Sequence, residues 1–144
     1  MEVKIVNNSG YPLPTYETIR SAGVDLRSAT KETVVLMPGE RQLISTGLFI
    51  ALPHGTEAQI RPRSGLAFKK GLTVLNAPGT VDADYRGEVK VLLVNLGQEN
   101  CAIEPGDRIA QMVFARYEQA KFMVTAELDQ TSRGEGGFGS TGTK

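Results

Sequence analysis

A chain of 144 residues, 40% of them hydrophobic, is long enough for one domain with a real core and too short for two comfortable ones. Sixteen Lys and Arg balance sixteen Asp and Glu, so no long-range field draws the molecule to nucleic acid or an anionic membrane. Any bound anion must therefore be gripped locally, and one cysteine (Cys101) with one histidine (His54) leaves too few ligands for a structural zinc and no intrachain disulfide. Residues 1–10 show no basic stretch leading into an apolar one, and no apolar run nears the roughly 20 residues that cross a bilayer. A cytoplasmic protein without membrane or nucleic-acid partners is expected, with Cys101 a buried, inert thiol.

Short, alternating or β-branched apolar runs predict strands at Val3–Val6, Val24–Ala29, Thr33–Leu36, Gln42–Ala51, Glu57–Pro62, Thr73–Leu75, Glu88–Asn95 and Arg108–Tyr117. Pro, Gly and Asn punctuate the gaps, where they preset or permit turn dihedrals. Two turns resemble each other: Pro38-Gly39-Glu40-Arg41 and Pro105-Gly106-Asp107-Arg108 each lead into an apolar strand, a weak pseudo-repeat. One brief helix is expected, with Ser64 capping its start and Gly71 ending it. Many short strands at close intervals indicate a sandwich, jelly roll or barrel. From Ser132 the chain is rich in glycine, with Phe138 its only large apolar side chain, and a mobile tail is expected.

Four stretches carry candidate chemistry. Arg63 and Ser64 stand where a strand end meets a helix start, which offers a guanidinium, a hydroxyl and unpaired backbone amides to a phosphate. An ordinary cap with a surface charge would read the same way. Asn76 to Glu88 is the densest polar constellation; Tyr85 could pack on a sugar or base while a carboxylate orients a water. An acidic surface turn with an incidental tyrosine is the plainer alternative. Gln111 is an amide at the head of an apolar run, suited to solvent or to a ligand. The tail from Arg133 to Gly142 combines glycines, Arg133, Ser140, Thr141 and Phe138, which a flap over a triphosphate would need. It lacks the Gly-Lys-Ser/Thr ending of a P-loop.

With Ala22–Ala29, these stretches resemble the five ordered motifs of the trimeric dUTPase family, in order and across nearly the whole chain. The resemblance implies an all-β, jelly-roll-like sandwich (a β-clip) assembled as a homotrimer with shared active sites. It divides the chain into a β-domain over 1–131 and a lid over 132–144. It implies hydrolysis of dUTP to dUMP and pyrophosphate, which limits uracil in DNA and supplies dUMP for dTMP synthesis, with magnesium on the triphosphate. By the same resemblance, Asp82 activates the water that attacks the α-phosphorus, and Asp25 orders waters around the metal. Asn76 and Gly79 belong to the uracil-reading hairpin, and Tyr85 excludes a 2′-hydroxyl. Arg63, Ser64, Gly65 and Gln111 contact phosphates; Arg133, Phe138, Gly139, Ser140 and Thr141 form the closing clamp. Asp84, Asp107 and Arg108 are given structural roles. A dCTP deaminase of the same fold, or a non-catalytic dUTP sensor, ranks below this reading, because the run from Asn76 to Glu88 and the tail are complete.

Overall fold

In the computed structural model, which describes residues 1–137, ten strands and one helix follow in the order β1 Lys4–Asn7, β2 Gly23–Arg27, β3 Val34–Leu36, β4 Arg41–Ala51, β5 Thr56–Arg61, α1 Ser64–Lys70, β6 Leu72–Val74, β7 Gly79–Val81, β8 Glu88–Asn95, β9 Cys101–Ile103 and β10 Arg108–Arg116. They build two four-stranded antiparallel sheets, ordered β1-β4-β8-β6 and β2-β10-β5-β7, with β3 paired to β9 as a third small ribbon. The expected all-β sandwich with one short helix is what the chain forms. From 117 to 137 no residue is in a helix or strand.

Strand alternation places the core. In β4 the buried side chains are Ile44, Thr46, Leu48 and Ile50, and in β8 they begin Val89, Val91, Leu93. Opposite them the second sheet contributes Val24, Leu26, Ala58, Ile60, Ala110 and Met112, and β3 and β9 add Leu36 and Ile103. Leu26, Ile44 and Val91 are entirely inaccessible to solvent. The β4·β8 register jumps between Ser45↔Lys90 and Leu48↔Val89. Two residues are inserted, and because strand faces alternate with period two, the inward set is unchanged across the bulge.

The two similar turns prove equivalent in detail. Gly39 and Gly106 have positive φ, at 81° and 86°. Glu40 accepts a hydrogen bond from the Met37 N–H through its carboxylate at 2.8 Å, and Asp107 does the same from Glu104 at 2.9 Å. Each turn thereby launches a central strand, β4 in one sheet and β10 in the other. Buried Asn95 ties the β3 end to the 96–99 turn: its amide donates to the carbonyls of Leu36 (2.9 Å) and Glu99 (2.8 Å) and accepts from the Gly97 N–H (2.9 Å).

Three sequence expectations need correction. β7 and β9 were not anticipated: both are three residues long, one beginning inside a Pro-Gly turn signal and the other at the lone cysteine. The helix cap is Arg63 in an extended conformation, with no side-chain cap bond, and Ser64 is the first helical residue. Gly71 ends the helix as expected, at φ 65°. Among the described residues no helix is long and apolar enough to cross a membrane.

Candidate active site

β2, β10 and β5 lie side by side, with Asp25 opposite Gln111 and Gln111 opposite Arg61. Directly opposed residues project from the same face, and Asp25 lies between buried Val24 and Leu26, so this row faces away from the core. After Arg61, Pro62 stops the ladder and Arg63 turns the chain into α1. The Leu66 and Ala67 N–H groups close on the Arg63 carbonyl, both at 3.1 Å. That leaves the first-turn amides of Ser64 and Gly65 without an intrahelical acceptor.

Asp25 is clasped by two arginines: its Oδ1 meets Arg63 Nε at 3.0 Å and its Oδ2 meets Arg108 Nη1 at 3.1 Å. The same Arg108 nitrogen reaches Glu17 at 2.9 Å, and Arg63 Nη1 donates to the Arg108 carbonyl at 3.1 Å. The Gln111 amide donates to the Pro62 carbonyl at 3.0 Å, which leaves its oxygen free of that bond and lying against Gly23. Around these groups opens a cleft of about 430 Å³, lined by Asp25, Arg63, Ser64, Gly65, Leu66, Lys69 and Gln111. Guanidinium, ammonium, hydroxyl, backbone amides and a side-chain amide converge there, a donor set suited to phosphate oxygens.

A second cluster sits on the hairpin from β6 to β8. Asn76 follows β6, a cis Ala77–Pro78 bond turns the chain, and β7 pairs with β5 through Gly79↔Ile60 and Val81↔Ala58. The Asn76 amide packs against Gly79, where a Cβ would stand only 3.0 Å from its nitrogen. Asp82 and Asp84 are exposed, while Ala83 between them packs on the core. A turn closes with the Tyr85 N–H on the Asp82 carbonyl (3.1 Å), and Arg86 latches it by donating to the carbonyls of Ala83 (2.7 Å) and Tyr85 (2.8 Å). At the hairpin's base is the one group here with a shifted pKa. Burial pushes the Glu88 carboxyl up, but the Gly47 N–H, the Ser45 side chain and Lys90 outweigh it and hold it below its ordinary value.

One protomer thus joins Asp25, Arg63, Ser64, Gly65 and Gln111 around the cleft, while Asn76, Gly79, Asp82 and Tyr85 stand on the hairpin and do not line it. Arg61 is opposite Gln111 and Ala58 opposite Val81, so Asp82 lies one step beyond a row three residues away. That is roughly 13 Å along the sheet. Arg133 donates to the Gly136 carbonyl at 2.8 Å in a local turn and does not line the cleft. Phe138, Gly139, Ser140 and Thr141 lie outside the described residues. Lys69 was missed by sequence reasoning; helical spacing from Gly65 was the available signal, since residues four apart are neighbours on a helix surface. The Asp25–Arg108 pair spans 83 residues and had no local signal.

Fold and clefts together define a β-sandwich protein with a local grip for phosphate oxygens and a separate acid–tyrosine hairpin. The family model described as dUTPase matches residues 10–142. The chain is 61% identical over 140 residues to the deoxyuridine 5′-triphosphate nucleotidohydrolase of Cytophaga hutchinsonii, covering 97% of this chain and 91% of that one. With the protein of the same name from Brucella suis biovar 1 it shares 57% over 143 residues, 98% and 91% of the two chains. A solved structure of the Staphylococcus bacteriophage 80alpha dUTPase with dUpNHpp superposes with a TM-score of 0.88 at 27% identity, covering 98% of each chain. The chain belongs to the dUTPase family, and is accordingly an enzyme, a dUTP diphosphatase.

Proposed function

We propose that the protein binds dUTP between the cleft of one subunit and the hairpin of another in a homotrimer, and hydrolyses it to dUMP and pyrophosphate. The observation that carries this reading is the family match across nearly the whole chain, joined to a phosphate-suited cleft that lacks Asp82. A second copy must bring the hairpin to the cleft if Asp82 and the phosphates are to meet. Exposed Phe122, Met123, Val124 and Leu128 in the segment after β10 supply apolar surface for such an assembly. The bacteriophage dUTPase bound to dUpNHpp supports a deoxyuridine triphosphate as the ligand.

In this reading Asn76 and Gly79 hold uracil at the hairpin, and the Tyr85 ring lies against deoxyribose where a 2′-hydroxyl would clash. Arg63, Ser64, Gly65 and Gln111 bind phosphate oxygens. Asp82, exposed and free to hold a water, takes its proton as that water attacks the α-phosphorus in line with departing pyrophosphate. The lid over 132–144, with Arg133, Phe138, Gly139, Ser140 and Thr141, closes on uracil and the terminal phosphates and excludes bulk water. A cytoplasmic location follows from that role in nucleotide supply.

The donor set also bears on magnesium. No cluster of three or more His, Cys, Asp or Glu exists among the described residues, and the cleft's one carboxylate, Asp25, is already paired with two arginines. Such a site fits an ion carried on phosphate oxygens and touched by Asp25 only through water. When bound, that ion supplies neutralisation of phosphate charge. The test is pyrophosphate release from dUTP, dCTP, dTTP and UTP, each with magnesium and with EDTA. Fast magnesium-dependent release from dUTP alone is expected; no release from any of the four would end the hydrolase reading.

A further inference from the structure

We infer that Gly87, together with the Glu88 carbonyl, forms the seat that fixes the Tyr85 ring, making Gly87 a positioning residue for the choice of deoxyribose over ribose. The inference rests on the reading of Tyr85 as the ring that faces the sugar. Tyr85 is 46% exposed, so packing against the body of the protein restrains only part of it. Its hydroxyl has one fixed bond, donated to the Glu88 carbonyl at 3.1 Å. The ring therefore folds back across its own loop, over the Cα of Gly87.

A Cβ added at Gly87 would collide with the Tyr85 hydroxyl and Cζ and stand 3.0 Å from Cε2. Gly87 is not among the glycines of positive φ, so its backbone conformation does not call for glycine; the ring above it does. The loop has little freedom to move aside. The Tyr85 N–H is bonded to Asp82, Arg86 ties down the carbonyls of Ala83 and Tyr85, and the Glu88 carboxylate holds the Gly47 N–H at 2.8 Å. A methyl at Gly87 must then be accommodated by the ring, which rotates off its seat and loses the hydroxyl bond. A ring so displaced no longer stands where a 2′-hydroxyl would strike it.

Discrimination is read as the ratio of kcat/KM for dUTP to that for UTP, in wild type, G87A, Y85A, the G87A/Y85A double variant and Y85F, with circular dichroism to confirm folding. G87A is expected to lower the ratio about tenfold or more, and Y85A to lower it as well. In the double variant the ratio should match Y85A alone, because Gly87 acts only through the ring. Y85F keeps the ring but loses its anchor, and should show a smaller fall in the same direction. A wild-type ratio in G87A while Y85A falls overturns the role of Gly87 and leaves Tyr85 as the sugar reader. Additive losses in the double variant overturn it too. A wild-type ratio in Y85A overturns the reading of Tyr85 and this inference with it. If G87A does not fold, Y85F decides: a fall supports the seat, and an unchanged ratio overturns it.

Discussion

Gly71 is where the helix that carries half the phosphate cleft is held to the body of the protein, and alanine there should cost far more than its φ angle alone predicts. Gly71 sits at φ 65°, its N–H bonded to the Ala67 carbonyl at 3.1 Å and its carbonyl accepting from the Leu96 N–H at 2.9 Å. A Cβ at this position would collide with the Gly97 amide nitrogen and stand 2.7 Å from the Gly97 Cα and 2.9 Å from the Leu96 carbonyl carbon. These are backbone atoms, held in place by the Asn95 side chain. The left-handed conformation costs alanine about 1 kcal/mol, and overpacking against fixed backbone adds about 1–3 kcal/mol. Gly55 is the control: its φ is 77° and nothing lies within 4 Å of its added Cβ, so Gly55→Ala should cost only the conformational part. At about 3 °C per kcal/mol for a chain of this size, Gly71→Ala should lower the melting temperature by roughly 6–12 °C and Gly55→Ala by roughly 3 °C. Both are measured by thermal unfolding at one protein concentration, since association would shift the values. The displaced helix should also raise KM for dUTP in Gly71→Ala alone. Melting temperatures within about 2 °C of each other would refute the close approach of helix and turn.

Asn95→Ala should destabilise the protein by about 3 kcal/mol, since this buried side chain loses three hydrogen bonds of about 1 kcal/mol each, as denaturant unfolding would show. Because the folded pKa of Glu88 is lowered from 4.5, its ionised form stabilises the fold above that pH, and the contribution is lost as pH falls through the lower folded value. Glu88→Gln should therefore be less stable than wild type at neutral pH, with the gap closing below about pH 4.5; a gap that stays constant to pH 3 would contradict this.

How much of this was legible in the sequence depended on the range of the interaction. β8 was placed to the residue, and β4 to within one, because long alternating runs carry their own register signal. β7 and β9 are held by their partners: three residues hold no period, and Gly79–Val81 is a strand only because β5 lies beside it. The Pro-Gly-acid turns were visible, yet their equivalence rested on carboxylate bonds that only coordinates reveal. In the candidate site, Arg63, Ser64, Gly65 and Gln111 were anticipated and do converge. The clasp on Asp25 was invisible, since Arg108 approaches it across a strand pairing. The separation of Asp82 from the cleft also required the sheet register, because chain order says nothing of which row a residue occupies.

The proposed role of Asp82, activation of the attacking water, is tested most directly by comparing Asp82→Asn with wild type under saturating dUTP and magnesium. A fall in kcat of about 10²-fold or more, with dUTP affinity and melting temperature retained, is the predicted result. Turnover within a few-fold of wild type would contradict it, and the hydrolytic base would have to be sought elsewhere.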